Sequence, residues 1–177
     1  MGRVSGDRQF RSADRLTMDT VDKATRSRIM SRVGQKDTGA EITLRSALHK
    51  AGFRYRVHDR RLPGSPDLVF PRFGAVIFVH GCYWHSHGCY RSTVPKSRHK
   101  FWTDKFQRNQ SRDKRNIRLL LKSGWRVLTV WECVLLGKNA MPSHEVTRRV
   151  RTWLHGTDAQ GQVSRKPTRG RNRDGLA

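Results

Sequence analysis

Two groups of residues in this chain carry the means for chemistry. The first is Asp67, in Pro66-Asp67-Leu68-Val69-Phe70. An ionised carboxylate opening an apolar strand is costly unless it is paired or bound to a metal. Mg²⁺ needs few protein oxygens, since water and substrate phosphate complete its octahedron. One carboxylate plus a backbone carbonyl from an adjoining strand is enough. A turn-capping Asp after Pro is the structural alternative. The second group is the loop His80-Gly81-Cys82-Tyr83-Trp84-His85-Ser86-His87-Gly88-Cys89. Cys82, His87 and Cys89 lie close enough in sequence to share a tetrahedral Zn²⁺, and Cys133 can return as the fourth ligand. The alternative is a free thiol at Cys133 and inert packing for the others.

That division leaves His80 and His85 uncommitted. A neutral imidazole beside a phosphodiester can take a proton from water. His85 lies between zinc ligands, in a loop such a site would stiffen. A surface or hydrogen-bonding histidine is the plainer reading. Tyr83, Trp84 and Trp102 sit in or just after the loop, where aromatics can stack on bases or wedge between base pairs; ordinary packing is the alternative. For Trp125 and Trp131, on a strand, core packing is the expectation.

The elements that must position these groups follow from pattern. Thr38 with Glu41 forms a capping box, and Ala40, Leu44, Ala47, Leu48 and Ala51 recur at helical spacing up to Gly52. Phe53, Tyr55 and Val57 alternate as a half-buried strand. Asp67–Phe70 and Ala75–His80 read as strands joined by a tight turn. A helix is expected from Phe101 to Ser123, a strand over Trp125–Trp131, and a last helix from Ser143 to Leu154. A short polar helix is expected near Lys23–Val33. Strands alternating with helices predict an α/β fold with a mixed sheet, its strand order unreadable. Residues 1–17 read as a flexible leader, 18–156 as the folded domain and 157–177 as a disordered basic tail.

Composition narrows the class. The 177 residues carry 37 Lys and Arg against 14 Asp and Glu, a net charge of +23. Most of that excess lies between the two tails, so the folded part is itself basic and suits a polyanionic partner such as nucleic acid. No apolar run suits a membrane span or a secretory signal. Three cysteines cannot all pair, which points to metal or free thiols in a reducing compartment.

At these residues the chain resembles the very-short-patch repair (Vsr) family of DNA mismatch endonucleases. The matching stretches are Asp22–Ser27, Leu62–Asp67, Val76–His85, Phe101-Trp102 and Gly124–Leu128 through Val130–Cys133. The resemblance implies a restriction-endonuclease-like core with a mixed sheet and a structural zinc. It implies a Mg²⁺-dependent enzyme that nicks 5′ to the T of T·G mismatches left by deamination of 5-methylcytosine. By resemblance Asp67 and the Val79 carbonyl hold Mg²⁺, His85 is the catalytic histidine, His80 a second active-site histidine and Glu41 a supporting acid. Cys82, His87, Cys89 and Cys133 hold zinc. Met30, Tyr83, Trp84, Trp102 and Lys105 contact DNA. The partner implied is double-stranded DNA with a T·G mismatch, bound by a monomer in the bacterial cytoplasm at the nucleoid, with mismatch-repair proteins as candidate partners. The chain departs from the family at Val79, where Thr is usual, at Tyr83, where Phe is usual, and at Ser86 and Gly88, which replace histidines. It also lacks the D/E-x-K of the wider nuclease superfamily, so histidine chemistry would stand in for the lysine. The rivals are a zinc-stabilised nucleic-acid-binding module without catalysis and a less selective nuclease.

Overall fold

The computed structural model describes residues 36–95 and 98–165. The expected leader, the helix near Lys23–Val33 and Met30 lie outside the described residues. The elements run α1 (Gly39–Lys50), β1 (Arg56–Val57), β2 (Leu68–Phe70), β3 (Ala75–His80), α2 (His99–Lys122), β4 (Arg126–Trp131), α3 (Glu132–Leu135), α4 (Ser143–His155) and β5 (Gln160–Val163). The strands form one mixed sheet in the order β1-β2-β3-β4-β5. The first three pair antiparallel, and β3, β4 and β5 run parallel.

Period-two alternation sorts the buried residues into two cores. Leu68, Phe70, Ile77, Leu128 and Val130 meet Leu44 and Leu48 of α1 and Val150 and Leu154 of α4. Their strand neighbours Val69, Val76, Phe78 and Val127 meet Leu120 of α2. Helices thus cover both faces, which is why the central strands are largely apolar. The capping box at the start of α1 forms as expected, with Thr38 accepting from the Glu41 N–H and Glu41 reaching back to Thr38.

Two expectations need correction. The alternation at Phe53, Tyr55 and Val57 predicts a strand with these three on one buried face. Only Arg56 and Val57 pair, and Val57 is exposed. Phe53 instead packs edge-on against Phe70, and a left-handed residue at His58 (φ 49°) ends the ladder. The sequence also predicts a disordered tail from Thr157. Gln160–Val163 is instead β5, paired along β4 from Val127↔Gln160 to Val130↔Val163. Backbone ladders are blind to side-chain polarity, and only Val163 is buried. Gly161 is required there, since a Cβ would stand 2.6 Å from Trp153 Nε1. No helix among the described residues is long and apolar enough to cross a membrane.

Candidate active site

The antiparallel register Leu68↔Ile77 carries Asp67 to the C-terminal end of β3, where its Oδ2 accepts the Val79 N–H at 2.7 Å. The Pro63–Pro66 turn sets this approach. Gly64 (φ 77°) lies against Asn116 of α2, where a Cβ would be 2.7 Å from the amide nitrogen. Burial, only partly offset by the Val79 hydrogen bond, pushes the Asp67 carboxyl up to about 6. Among the described residues no Lys or Arg pairs with it, and its ion-pair neighbour is His58 Nδ1 at 3.8 Å. A largely enclosed carboxylate without a strong cationic partner is a donor suited to a hard divalent ion.

The chain continues from Val79 into His80, whose ring stacks on His85 at 4.0 Å with 6° between planes. Burial first, and the neighbouring His85 second, depress His80 to about 3, so it is neutral at physiological pH. The turn between the two histidines depends on Gly81, where a Cβ would sit 3.2 Å from Trp84. His85 Nδ1 lies 2.5 Å from Asp113 Oδ2 on α2. Burial is the strongest single influence on Asp113 and opposes its ionisation, but the hydrogen bond and the nearby cationic groups outweigh it and hold the carboxyl below its ordinary range. A carboxylate that accepts from Nδ1–H leaves the Nε2 lone pair of His85 free to take a proton. α2 anchors the same loop twice more, Asn109 donating to the Trp84 carbonyl at 3.0 Å and Gln110 to the His85 carbonyl at 3.3 Å.

The parallel register His80↔Trp131 also places the cysteines. Cys82 lies two residues past the end of β3, and Cys133 two past the end of β4. With His87 and Cys89 they bring four ligand atoms within 4.8 Å of one another. His87 Nδ1 is 3.6 Å from both the Cys82 and Cys133 sulfurs. Tetrahedral zinc, with bonds of roughly 2.3 Å to sulfur and 2.0 Å to nitrogen, separates such ligands by about 3.5 Å. The donor set fits zinc. Burial pushes the Cys82 and Cys133 thiols up, so filling the site must release protons. Glu132 supports the cluster, accepting from the Cys82 N–H at 3.2 Å and from Arg91 at 2.6 Å. Trp131, expected in the core, is half-buried. Its face stacks on His87 at 4.0 Å, and it meets His80 edge to face at 5.4 Å.

Tyr83, Trp84 and Trp102 form one half-buried aromatic group over buried Phe106. Lys105 Nζ lies 5.2 Å from the Trp84 ring centre and 5.5 Å from that of Trp102. Beyond them a groove along α2, bordered by Asp104, Gln107, Arg108, Ser111, Arg112 and Arg115, faces solvent with three guanidinium groups and one carboxylate. That is chemistry for a phosphate backbone.

The structure thus brings together Asp67, Val79, His80 and His85, and separately the four zinc candidates. Glu41 is held in the capping box and by Arg45 at 2.7 Å, in contact with His58 rather than with His80 or His85. Sequence reasoning missed Asp113, Asn109 and Gln110. The one available signal was Asp113 itself, a lone acid within the run Arg112-Asp113-Lys114-Arg115.

Known proteins resemble this chain over most of its length. Residues 18–91 match the family described as DNA mismatch endonuclease Vsr. The chain is 44% identical to the DNA mismatch endonuclease Vsr of Escherichia coli K12 over 82% of its own length and 93% of that protein. It is also 44% identical to the type II nicking enzyme V.XorIIP of Xanthomonas oryzae pv. oryzae, over 70% of its own length and 90% of the relative. It is 39% identical to the type II nicking enzyme V.NmeAIP of Neisseria meningitidis serogroup A, over 75% and 94%.

Proposed function

The chain belongs to the Vsr family of DNA mismatch endonucleases, and from that premise we propose that it nicks one strand of duplex DNA 5′ to the T of a T·G mismatch, with Mg²⁺, leaving 5′-phosphate and 3′-hydroxyl ends. The observation that carries the reading is the continuous line of contacts Asp67–Val79–His80–His85–Asp113 at the end of β3. It supports the reading by linking a carboxylate beside the end of β3 with a carboxylate-oriented histidine in the loop that follows.

Asp67 and the Val79 backbone carbonyl are the groups that would hold Mg²⁺. When bound, that ion supplies Lewis acidity at the phosphate and neutralises developing charge. His85 takes the proton from the attacking water at Nε2, and Asp113 holds the ring and stabilises the imidazolium that results. His80, neutral and stacked on His85, fixes the second face of that ring. Glu41 acts one step removed, by anchoring α1 and the side chains beside Asp67. Cys82, His87, Cys89 and Cys133 would hold a structural zinc that sets the loop.

Mismatch selection rests on Tyr83, Trp84 and Trp102, which with Lys105 form the wedge. A mismatched step is cheaper to unstack than a paired one, so an inserted aromatic discriminates in its favour. Met30 is proposed to contact DNA as well. The guanidinium groups of α2 hold the phosphate backbone without regard to sequence. We take the nuclease domain to run from residue 18 through β5, on a restriction-endonuclease-like core.

The test is a nicking assay on T·G and fully paired duplexes in varied sequence contexts, with Mg²⁺ or with EDTA. Nicking of T·G duplex only, and only with Mg²⁺, is expected. Equal nicking of both duplexes would leave a less selective nuclease, and binding without nicking would leave a binding module.

A further inference from the structure

One part-buried histidine has no role so far. His58 follows β1, and its side chain is only 13% exposed. Its ring stands between two sets of acids. Nε2 lies 2.7 Å from Arg45 Nη2, 3.4 Å from Asp37 Oδ1 and 3.5 Å from Glu41 Oε2. Nδ1 lies 3.8 Å from Asp67 Oδ1. Asp37, Glu41 and His58 together have the donors of a metal site, but Arg45 already supplies the cation. Its Nη1 reaches Asp37 at 2.5 Å and its Nη2 reaches Glu41 at 2.7 Å. A divalent ion would have to displace the guanidinium.

Guanidinium nitrogens only donate. The 2.7 Å approach of Arg45 to His58 Nε2 is therefore a hydrogen bond only when Nε2 carries the lone pair. The proton of the neutral ring then sits on Nδ1, the nitrogen that faces Asp67. A doubly protonated ring would set N–H against N–H.

We propose that His58 is a positioning residue for Asp67, with Arg45 fixing its tautomer so that Nδ1–H is a donor aimed at Oδ1 while the Val79 N–H holds Oδ2. This rests on reading Asp67 as the metal-binding carboxylate. At 3.8 Å the contact is longer than a hydrogen bond, as is common in unliganded sites whose contacts tighten when substrate binds. A neutral donor suits the task. It restrains carboxylate rotation from the side opposite Val79 and adds no positive charge next to the position a cation must take. The charge of Arg45 stays one residue back, balanced by Asp37 and Glu41.

Long-range ¹H–¹⁵N spectra of His58 in the full chain, without DNA or Mg²⁺, read the tautomer directly. Protonation at Nδ1 is expected, and protonation at Nε2 alone overturns the proposal with no variant needed. Nicking rates against Mg²⁺ concentration then read the consequence. His58→Ala should raise the half-saturating Mg²⁺ about five-fold or more while the rate at saturation falls less than about two-fold. His58→Asn, whose amide nitrogen takes the place of Nδ1, should recover part of that shift. Unchanged half-saturation in His58→Ala, or no recovery in His58→Asn, overturns it. Asp67→Asn is the control. If it keeps full Mg²⁺-dependent nicking, the reading of Asp67 has failed, and the spectra still report on His58.

Discussion

Replacing Asp113 separates an orienting role from a merely structural one. The carboxylate accepts from His85 Nδ1 at 2.5 Å and is half-buried. A hydrogen bond to a charged group contributes about 1.5–3 kcal/mol. If that energy is realised as the imidazolium forms, Asp113→Ala slows the chemical step by roughly 10- to 150-fold. Asp113→Asn preserves shape but swaps an acceptor oxygen for a donor. Its amide can donate to a bare Nδ1 and so drive the proton to Nε2, the atom that must act as base. Asn should therefore be slower than Ala, toward the ~10⁴-fold limit of general base catalysis. The assay is single-turnover nicking of a T·G duplex at saturating Mg²⁺, beside thermal melts. A structural role predicts the reverse order, since the isosteric Asn would pack better than Ala. Faster nicking by Asn than by Ala, or an unchanged rate in Ala, would refute the reasoning. Stability carries a second signature. The Asp113 carboxyl is held below 3.8 in the fold, so its contribution is present above about pH 4 and is lost as pH falls through its lowered value. The melting difference between parent and Asp113→Asn should be largest near neutrality and shrink in acid.

Asp67→Asn should abolish nicking while leaving duplex binding largely intact, checked by nicking and by salt-dependent binding; full activity would sink the metal assignment. Because burial already disfavours the ionised Asp67 carboxylate, this variant without metal should melt no lower than the parent at pH 7.5. One Zn²⁺ per chain is expected by elemental analysis, and Cys133→Ser should lower the melting temperature by about 10 °C or more; well-folded reduced protein free of zinc would exclude the site. Trp84→Ala and Trp102→Ala should melt within a few degrees of the parent, since both rings are only half-buried. Their preference for T·G over paired duplex should fall about ten-fold or more, and a large melting loss with unchanged preference would return both to the core.

What was legible in the sequence was what broke its local pattern. Asp67 stands out at the head of an apolar strand, and the Cys/His loop stands out in a chain with three cysteines. Asp113, Asn109 and Gln110 were hidden because a polar run on a long helix looks like a solvated face. Only the docked loop shows which of those side chains point inward. β5 was hidden because its pairing uses backbone alone, and its Gly161 reads as tail rather than as the residue that admits Trp153. Val57 misled because period-two alternation assumes a strand paired long enough to have a buried face, and β1 pairs over two residues. Strand order was unreadable because the β3–β4 pairing joins segments separated by the whole loop and α2.

That separation has a consequence for how the protein is held together. The β3–β4 ladder closes one long excursion of chain, and the proposed zinc on the cysteine cluster would close the same excursion again just beyond it. Everything between the two crossings, including Tyr83, Trp84, Trp102, Lys105 and Asp113, would then lie inside a single doubly fastened loop. Closing a loop costs entropy that grows only with the logarithm of its length. The second fastening follows almost freely from the first, and each raises the local concentration of the other's ends. Opening the cluster would therefore leave the sheet standing on one fastening and set the catalytic and recognition segments loose together. Partial reduction of mismatch nicking, with one function kept and the other lost, is then the rare outcome. If the cluster holds the proposed zinc, oxidation of the three thiols or removal of that metal should silence strand scission and mismatch choice in step.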